Sequence, residues 1–270
     1  MLAQDHDGNG LIEYRLSGNS GTWDGKIRPA NWRDTIGFGH EDAYSNALAY
    51  HALRLLGEAA KSLKKRGEAK EFDDGADKLK TAYYQTYYNP ESGLLAGRKS
   101  ADGKLHDYAF TFIDGMAISF GLIEKKPTNA IMDRLLKKMD EVGYTRFDLG
   151  LPGNLLPIRK EDYSDGRKRY GGSEKEDGSD GFQIYENGGA THCHAYWTVK
   201  ALYNLGRTKD ARKIYYPMLK TYSEGGFQGF GSNGLSKDWR KWDGECNGYE
   251  GYLTDGYLAL LAVRDDLAAK

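Results

Sequence analysis

Asn31-Trp32-Arg33-Asp34-Thr35 leads into Glu41-Asp42-Ala43-Tyr44-Ser45-Asn46-Ala47-Leu48-Ala49-Tyr50, and the reading of this junction decides the fold. The first stretch sets one carboxylate, Asp34, beside an aromatic ring and a guanidinium in a loop. The second begins a helix over about 41–65, with Tyr44, Ala47, Leu48, Ala52, Leu55, Leu56 and Ala59 at the spacing of one apolar stripe. Glu41 and Asp42 are expected in its first turn, where carboxylates suit the positive end of the helix dipole. Two later stretches answer the Asp34 loop: Tyr185-Glu186-Asn187-Gly188-Gly189, and the Trp- and acid-rich segment from Trp239 to Glu250. The three are read as rims of one cleft.

The rest of the chain sets bounds on this reading. A chain of 270 residues can bury a substantial core. A net charge of −1 implies neither nucleic acid nor an anionic membrane surface as partner. No apolar run approaches a membrane span, and no signal-peptide pattern follows Met1, so the compartment is left open. The compositional bias is in 35 Gly and 20 Tyr, with four of the 5 Trp in expected loops. Glycine-rich loops displaying aromatic rings suit a ligand with flat apolar faces and polar edges, such as a sugar ring, although most of the tyrosines are expected to pack helices. Cys193 and Cys246 are too few for a disulfide framework, and their loop positions allow a single bridge.

Further helices are expected at about 71–88, 108–122, 128–142, 190–205, 208–222 and 249–267, seven in all with the first. A small β-hairpin is expected where Gly93–Ala96 and Lys104–His106 flank Asp102-Gly103. The long stretch 143–186 is expected to be ordered near the cleft at Leu149–Ile158 and solvated at Ser164–Ser179. Long connections recur after every second helix, as a toroid of helical hairpins requires. The opening loop, Asp5-His6-Asp7-Gly8-Asn9-Gly10-Leu11-Ile12-Glu13, alternates oxygen donors like a calcium loop but lacks the closing Glu, since its twelfth place is Leu16. A calcium turn using Asp5, Asp7, Asn9, Leu11 and Glu13 with a distant carboxylate stands against a plain Asx turn.

The ordered series Asp5–Tyr14, Trp32-Arg33-Asp34, Glu41–Tyr50 and Tyr185–His192 resembles the catalytic domains of six-hairpin, (α/α)6-barrel glycoside hydrolases. That group includes glucoamylases, trehalases and the family-sixty-three α-glucosidases. The Glu-Asn-Gly-Gly stretch is also similar to one in disaccharide phosphorylases. The resemblance implies an all-α toroid, here an incomplete (α/α)6 barrel of about seven helices over 1–270, lacking its first five. It implies a carbohydrate substrate, an α-linked gluco- or manno-configured glycoside, cleaved with inversion. It leaves three alternatives for the missing helices: a half-barrel upstream in a longer enzyme, a half-barrel partner in a second chain, or a chain settled into an open arc. Without that partner, a silent sugar-binding module is the reading of a different class, and inverting phosphorolysis is a further one.

In that fold the acid lies before the sixth helix and the base before the twelfth, which implies Asp34 as acid and Glu250 or Glu245 as base. Inversion needs two carboxyl groups roughly 6.5–9.5 Å apart, one protonating the leaving oxygen and one activating water. Trp32 would raise the pKa of Asp34 and an inward Arg33 would oppose that. Glu186 and Asn187, with Tyr185, are placed as substrate ligands at a helix entry. His192 and His194, two apart, splay too far to share a metal and are read as sugar-bonding or as satisfied buried histidines. Trp239 and Trp242 stack on sugar faces or pack under their loop.

Overall fold

The computed structural model describes residues 2–14, 31, 33, 35–163, 172–226, 229–248 and 253–269. Among them are seven α-helices: α1 (Ala43–Ser62), α2 (Arg66–Tyr87), α3 (Thr111–Ser119), α4 (Lys125–Glu141), α5 (His192–Asn204), α6 (Thr208–Ser223) and α7 (Leu253–Ala268). None is long and apolar enough to cross a membrane. Helices α1, α3, α5 and α7 pack on one another in sequence, while α2, α4 and α6 each pack outside the helix before them. The result is an arc of an α/α toroid, with odd helices inside and even helices outside. The burial of the chain follows from this. Inner helix α3 is buried at every residue from Thr111 to Ile118, whereas outer α2 buries only the stripe Ala69, Ala76, Leu79, Tyr83 and Tyr87. Gly115 lets α3 and α5 meet backbone to backbone, since a Cβ there would lie 2.5 Å from the Trp197 carbonyl carbon.

The expected helices are all present, with shifted ends. Glu41 is not in a first turn: it lies in a strand, and Asp42 is the N-cap of α1, accepting from the amides of Tyr44 and Ser45. The expected apolar stripe of α1 is not its core face. Leu48, Leu55 and Leu56 are exposed, and the buried face is Ala43, Asn46, Ala47, Tyr50, Leu53, Gly57 and Ala60. A small-residue face suits close packing on α2, which leaves the leucines outside.

β-Structure exceeds the single expected hairpin. Strands β1 (Glu13–Tyr14), β2 (His40–Asp42), β3 (Tyr88–Asn89), β4 (Leu94–Leu95), β5 (Arg98–Lys99), β6 (Leu105–His106), β7 (Leu151–Pro152), β8 (Ala190–Thr191), β9 (Ser236–Arg240) and β10 (Cys246–Gly248) are short. They form antiparallel sheets in the orders β1-β2-β5-β6 and β10-β9-β8-β7, with a β3-β4 pair apart. The turn at Asp102-Gly103 does reverse the chain, but β6 pairs with Arg98–Lys99. Leu94–Leu95 pairs instead with Tyr88–Asn89, because Ala96 and Gly97 have turned toward the Tyr87 and His106 carbonyls. Residues 164–171 of the expected solvated stretch lie outside the described residues, and Ser173 is buried. Cys193 and Cys246 are both free thiols, so the bridge does not form.

Candidate active site

The strands gather at one end of the inner helices. β2 runs directly into α1 and β8 into α5, and the Thr111 hydroxyl at the head of α3 donates to Pro152 O of β7 at 2.6 Å. The long connections therefore converge where the helical amides point outward. Four of the five described non-glycine residues with positive φ, His40, Ala109, Gln183 and Tyr185, lie in these segments. Such conformations cost about 1–3 kcal/mol each and cluster where a structure over-determines them.

The Glu-Asn-Gly-Gly stretch is the knot of this end. Glu186 is buried, and one of its carboxylate oxygens accepts from the Thr35 amide at 3.1 Å, the Ile36 amide at 3.2 Å and, most closely, the Thr35 hydroxyl. Arg33 is also buried, with its guanidinium over the Phe112 ring at 4.9 Å and the Phe110 ring at 5.2 Å. Burial lowers the pKa of Arg33, while the charges of Glu186 and Asp42 work the other way. Asn187 is fully buried and ties in a third segment: its side-chain oxygen accepts from Ile158 N at 2.9 Å and Asn154 Nδ2 at 3.2 Å. The paired glycines are steric requirements. A Cβ on Gly188 would lie 2.5 Å from the Phe182 ring, and one on Gly189 would lie 2.4 Å from Tyr185 O and 3.0 Å from Trp239.

The third rim closes on the second. Trp239 of β9 is buried, edge-on to Tyr185 at 5.0 Å and to His194 at 5.3 Å. His194, in the first turn of α5, stacks on Phe112 at 4.6 Å and 17°. Both its ring nitrogens are buried without a hydrogen-bond partner, a condition that ordinarily costs about 1–3 kcal/mol. Burial, helped by the nearby Arg33 charge, pushes its pKa down to about 3, so the ring is neutral. His192 faces elsewhere: its Nε2 meets Asp148 O at 3.2 Å and its ring lies 4.7 Å from Tyr222. The two histidines share no site.

Other sequence candidates separate. Trp242 donates through Nε1 to Gly188 O at 2.7 Å and packs between Tyr144 and Phe182, under the loop. Glu245 is exposed between β9 and β10 and is ion-paired with Lys241. Trp32, Asp34 and Glu250 lie outside the described residues. Sequence reasoning missed Asp42 and the Phe110-Thr111-Phe112 floor. Asp42 accepts from Asn31 Nδ2 at 3.2 Å and Ser45 Oγ at 2.5 Å, and burial raises its pKa against the pull of Ser45 and Arg33. Its only signal was its place before a helical pattern. The alternating Phe110 and Phe112 read as ordinary core.

The opening loop is an Asx-turn system joined to a carboxylate cluster. Asp7 accepts from the Asn9 amide at 3.0 Å, Asn9 from the Leu11 amide at 2.8 Å, and Asp5 from Gly10 N and Lys78 Nζ. Glu13 and Glu41 are directly opposed on β1 and β2, and with His40 they offer ligand atoms within 4.8 Å of one another. Asn9 reaches Glu41 from the loop, Lys99 lies 3.3 Å from Glu41, and His6 lies 3.0 Å from Glu13. Directly opposed like charges destabilise a strand pair, and Lys99 beside Glu41 offsets part of that repulsion.

Among solved structures the chain is similar to a GH78 family rhamnosidase of Bacillus sp. GL1, at a TM-score of 0.53 and 13% sequence identity. The match covers 100% of this chain and 22% of that one, and at this identity it shows a common fold. No curated protein matches the chain. The bacterial alpha-L-rhamnosidase six-hairpin glycosidase domain is matched over residues 17–156, just over half of the sequence. Hairpins α1–α2, α3–α4 and α5–α6, with inner α7, make an incomplete ring of that architecture, and the chain belongs to this six-hairpin glycosidase domain family.

Proposed function

We propose that this chain carries the acid–base and sugar-binding loops of an inverting glycoside hydrolase for α-linked, manno-configured sugars, α-L-rhamnosides first among them. L-Rhamnose is 6-deoxy-L-mannose, so the reading joins the expected sugar configuration to the name of the family. The observation that supports it is the meeting of loops 31–36, 182–189 and 236–242 at the heads of the inner helices, through Thr35–Glu186, Tyr185–Trp239 and His194–Trp239. In this reading Asp34 protonates the leaving oxygen and Glu250 activates the water, ahead of Glu245, whose carboxylate is exposed and salt-bridged at a strand turn. Glu186, whose oxygen accepts from the Thr35 amide and hydroxyl and from the Ile36 amide, ties down the segment that follows Asp34 in the sequence. Hydrolysis of p-nitrophenyl α-L-rhamnopyranoside, with α-mannoside and α-glucoside as comparators, tests the substrate. The anomer first released, read by NMR, tests inversion.

A second reading, a sugar-binding module without catalysis, is favoured by one fact: the chain spans 22% of the similar rhamnosidase. Asp34→Asn separates the two. The hydrolase reading expects turnover to fall at least 1,000-fold, on the order of an essential acid's contribution, with sugar binding kept. Equal binding and no hydrolysis before and after the change leave the module.

A structural calcium ion belongs to the same proposal. Asp7, Asn9 and the Leu11 carbonyl would meet Glu13 and Glu41 around it, fixing the loop to the strand that starts α1. Millimolar calcium is expected to raise Tm by several degrees, roughly 4 °C per kcal/mol, and EDTA to reverse the gain. An unchanged Tm leaves a plain Asx turn.

A further inference from the structure

We infer that His194, at the head of α5 where the connecting segments meet, reads one hydroxyl of the bound sugar and thereby sets which hydroxyl pattern the site accepts. The inference rests on the glycosidase reading above and adds to it a specificity-determining residue. A histidine that merely fills a core ordinarily pairs at least one ring nitrogen with a carbonyl or carboxylate. His194 pairs neither, although its residue is only 5% exposed. Its ring is clamped, face-on to Phe112 and edge-on to Trp239, and Gly153 leaves room for it, since a Cβ there would lie 2.8 Å from its Cε1. The nitrogens therefore have fixed directions. Phenylalanine would fill the same space with no polar atoms to desolvate, so packing alone gives no reason for an imidazole here.

The surroundings also select the chemistry of the partner. A metal is disfavoured, because His192 turns away to Asp148 O and the Arg33 guanidinium lies over the same Phe112 ring on which His194 stacks. An anion gains little from an uncharged ring, which offers one donor and one acceptor. A neutral hydroxyl uses both, and the aromatic rings around it suit the C–H face of a sugar. A site whose buried polar atom is left unpaired by a missing hydroxyl rejects that analogue far more strongly than apolar contact does.

The test uses methyl α-L-rhamnopyranoside and its 2-, 3- and 4-deoxy derivatives, with affinities read by NMR titration of the intact chain. The wild-type protein is expected to bind one derivative roughly ten- to a hundred-fold more weakly than the parent, as loss of one buried hydrogen bond implies. His194→Phe is expected to bind that derivative and the parent alike. Retention of the wild-type preference by His194→Phe overturns the inference and leaves the glycosidase reading standing. A second measurement needs no variant: the ring-nitrogen resonances of His194 in the wild-type chain should move on saturation with the parent sugar, and fixed resonances with sugar bound also overturn it. Wild-type protein that binds neither rhamnoside, mannoside nor glucoside removes the glycosidase reading, and this inference with it.

Discussion

Removing the carboxylate of Glu186 takes one shared acceptor from Thr35 N, Thr35 Oγ1 and Ile36 N and leaves the buried Arg33 guanidinium without that neighbouring charge. Glu186→Ala is therefore expected to cost about 3–5 kcal/mol in urea unfolding, the range for breaking a buried charge network. Glu186→Gln, which keeps an acceptor, should cost less. A loss below about 0.5 kcal/mol for the alanine variant would mean that the tether holds nothing. The buried histidines give a pH signature. Burial pushes His192 and His194 down to about 3, whereas the unfolded chain protonates them near 6.5. Below about pH 6.5 the unfolded state takes up protons that the folded state refuses, so stability falls as pH drops, by about 1.4 kcal/mol per pH unit per histidine. Unfolding free energies at pH 4, 5 and 6 should lose about that slope in His194→Phe. An unchanged slope would place the proton elsewhere. At this scale the sequence named Glu186, His194 and Trp239 from residue type and neighbourhood. What they bond was not legible: Thr35 is 151 positions from Glu186, and no local period reports a contact that distant.

Among elements, legibility followed periodicity. Outer helices α2, α4 and α6 face water on one side, so their 3.6-residue pattern marks them, and only their ends moved. Helix α2 begins at Arg66, before the expected start, because Gly67 sits in its exposed first turn and does not break it. Strands were largely illegible. Ser236-Lys237-Asp238-Trp239-Arg240 alternates no apolar residues, yet Ser236, Asp238 and Trp239 are buried, Trp239 against Tyr185 and His194. Helix α3 carries the sharpest test of the arc. Its contact with α5 depends on a missing side chain, and in Gly115→Ala the new methyl would meet Trp197 and Thr198 backbone atoms at 2.5–2.7 Å. Backbone cannot step aside as a side-chain tip can. A loss of about 2–3 kcal/mol in denaturant unfolding is expected, despite the better helix propensity of alanine. A neutral or stabilising result would show that α3 and α5 do not approach this closely.

On the scale of the molecule, the misread stripe of α1 is informative. The sequence reading placed Leu48, Leu55 and Leu56 in the core because an apolar stripe usually is core. Here α1 has two apolar faces, and the described residues cover the one made of Ala43, Ala47, Tyr50, Leu53, Gly57 and Ala60. An inner helix of a closed toroid has an inner neighbour on each side. Among the described residues α1 has inner helix α3 on one side, and its leucines are exposed. The other end of the arc repeats the pattern, with Tyr257, Leu260 and Leu267 of inner α7 exposed. Exposed apolar residues on the first and last of the described inner helices match a ring drawn open, and large exposed apolar patches are in general where proteins associate. Substitution separates edge from core. Leu55→Gln with Leu56→Gln is expected to leave unfolding free energy within about 1 kcal/mol, while Leu53→Ala costs about 2–5 kcal/mol. In sedimentation experiments the wild-type chain should associate as its concentration rises, and the double glutamine variant should do so less. If the glutamines destabilise the chain as much as Leu53→Ala, the leucine stripe is core after all and α1 is not the edge of an open ring.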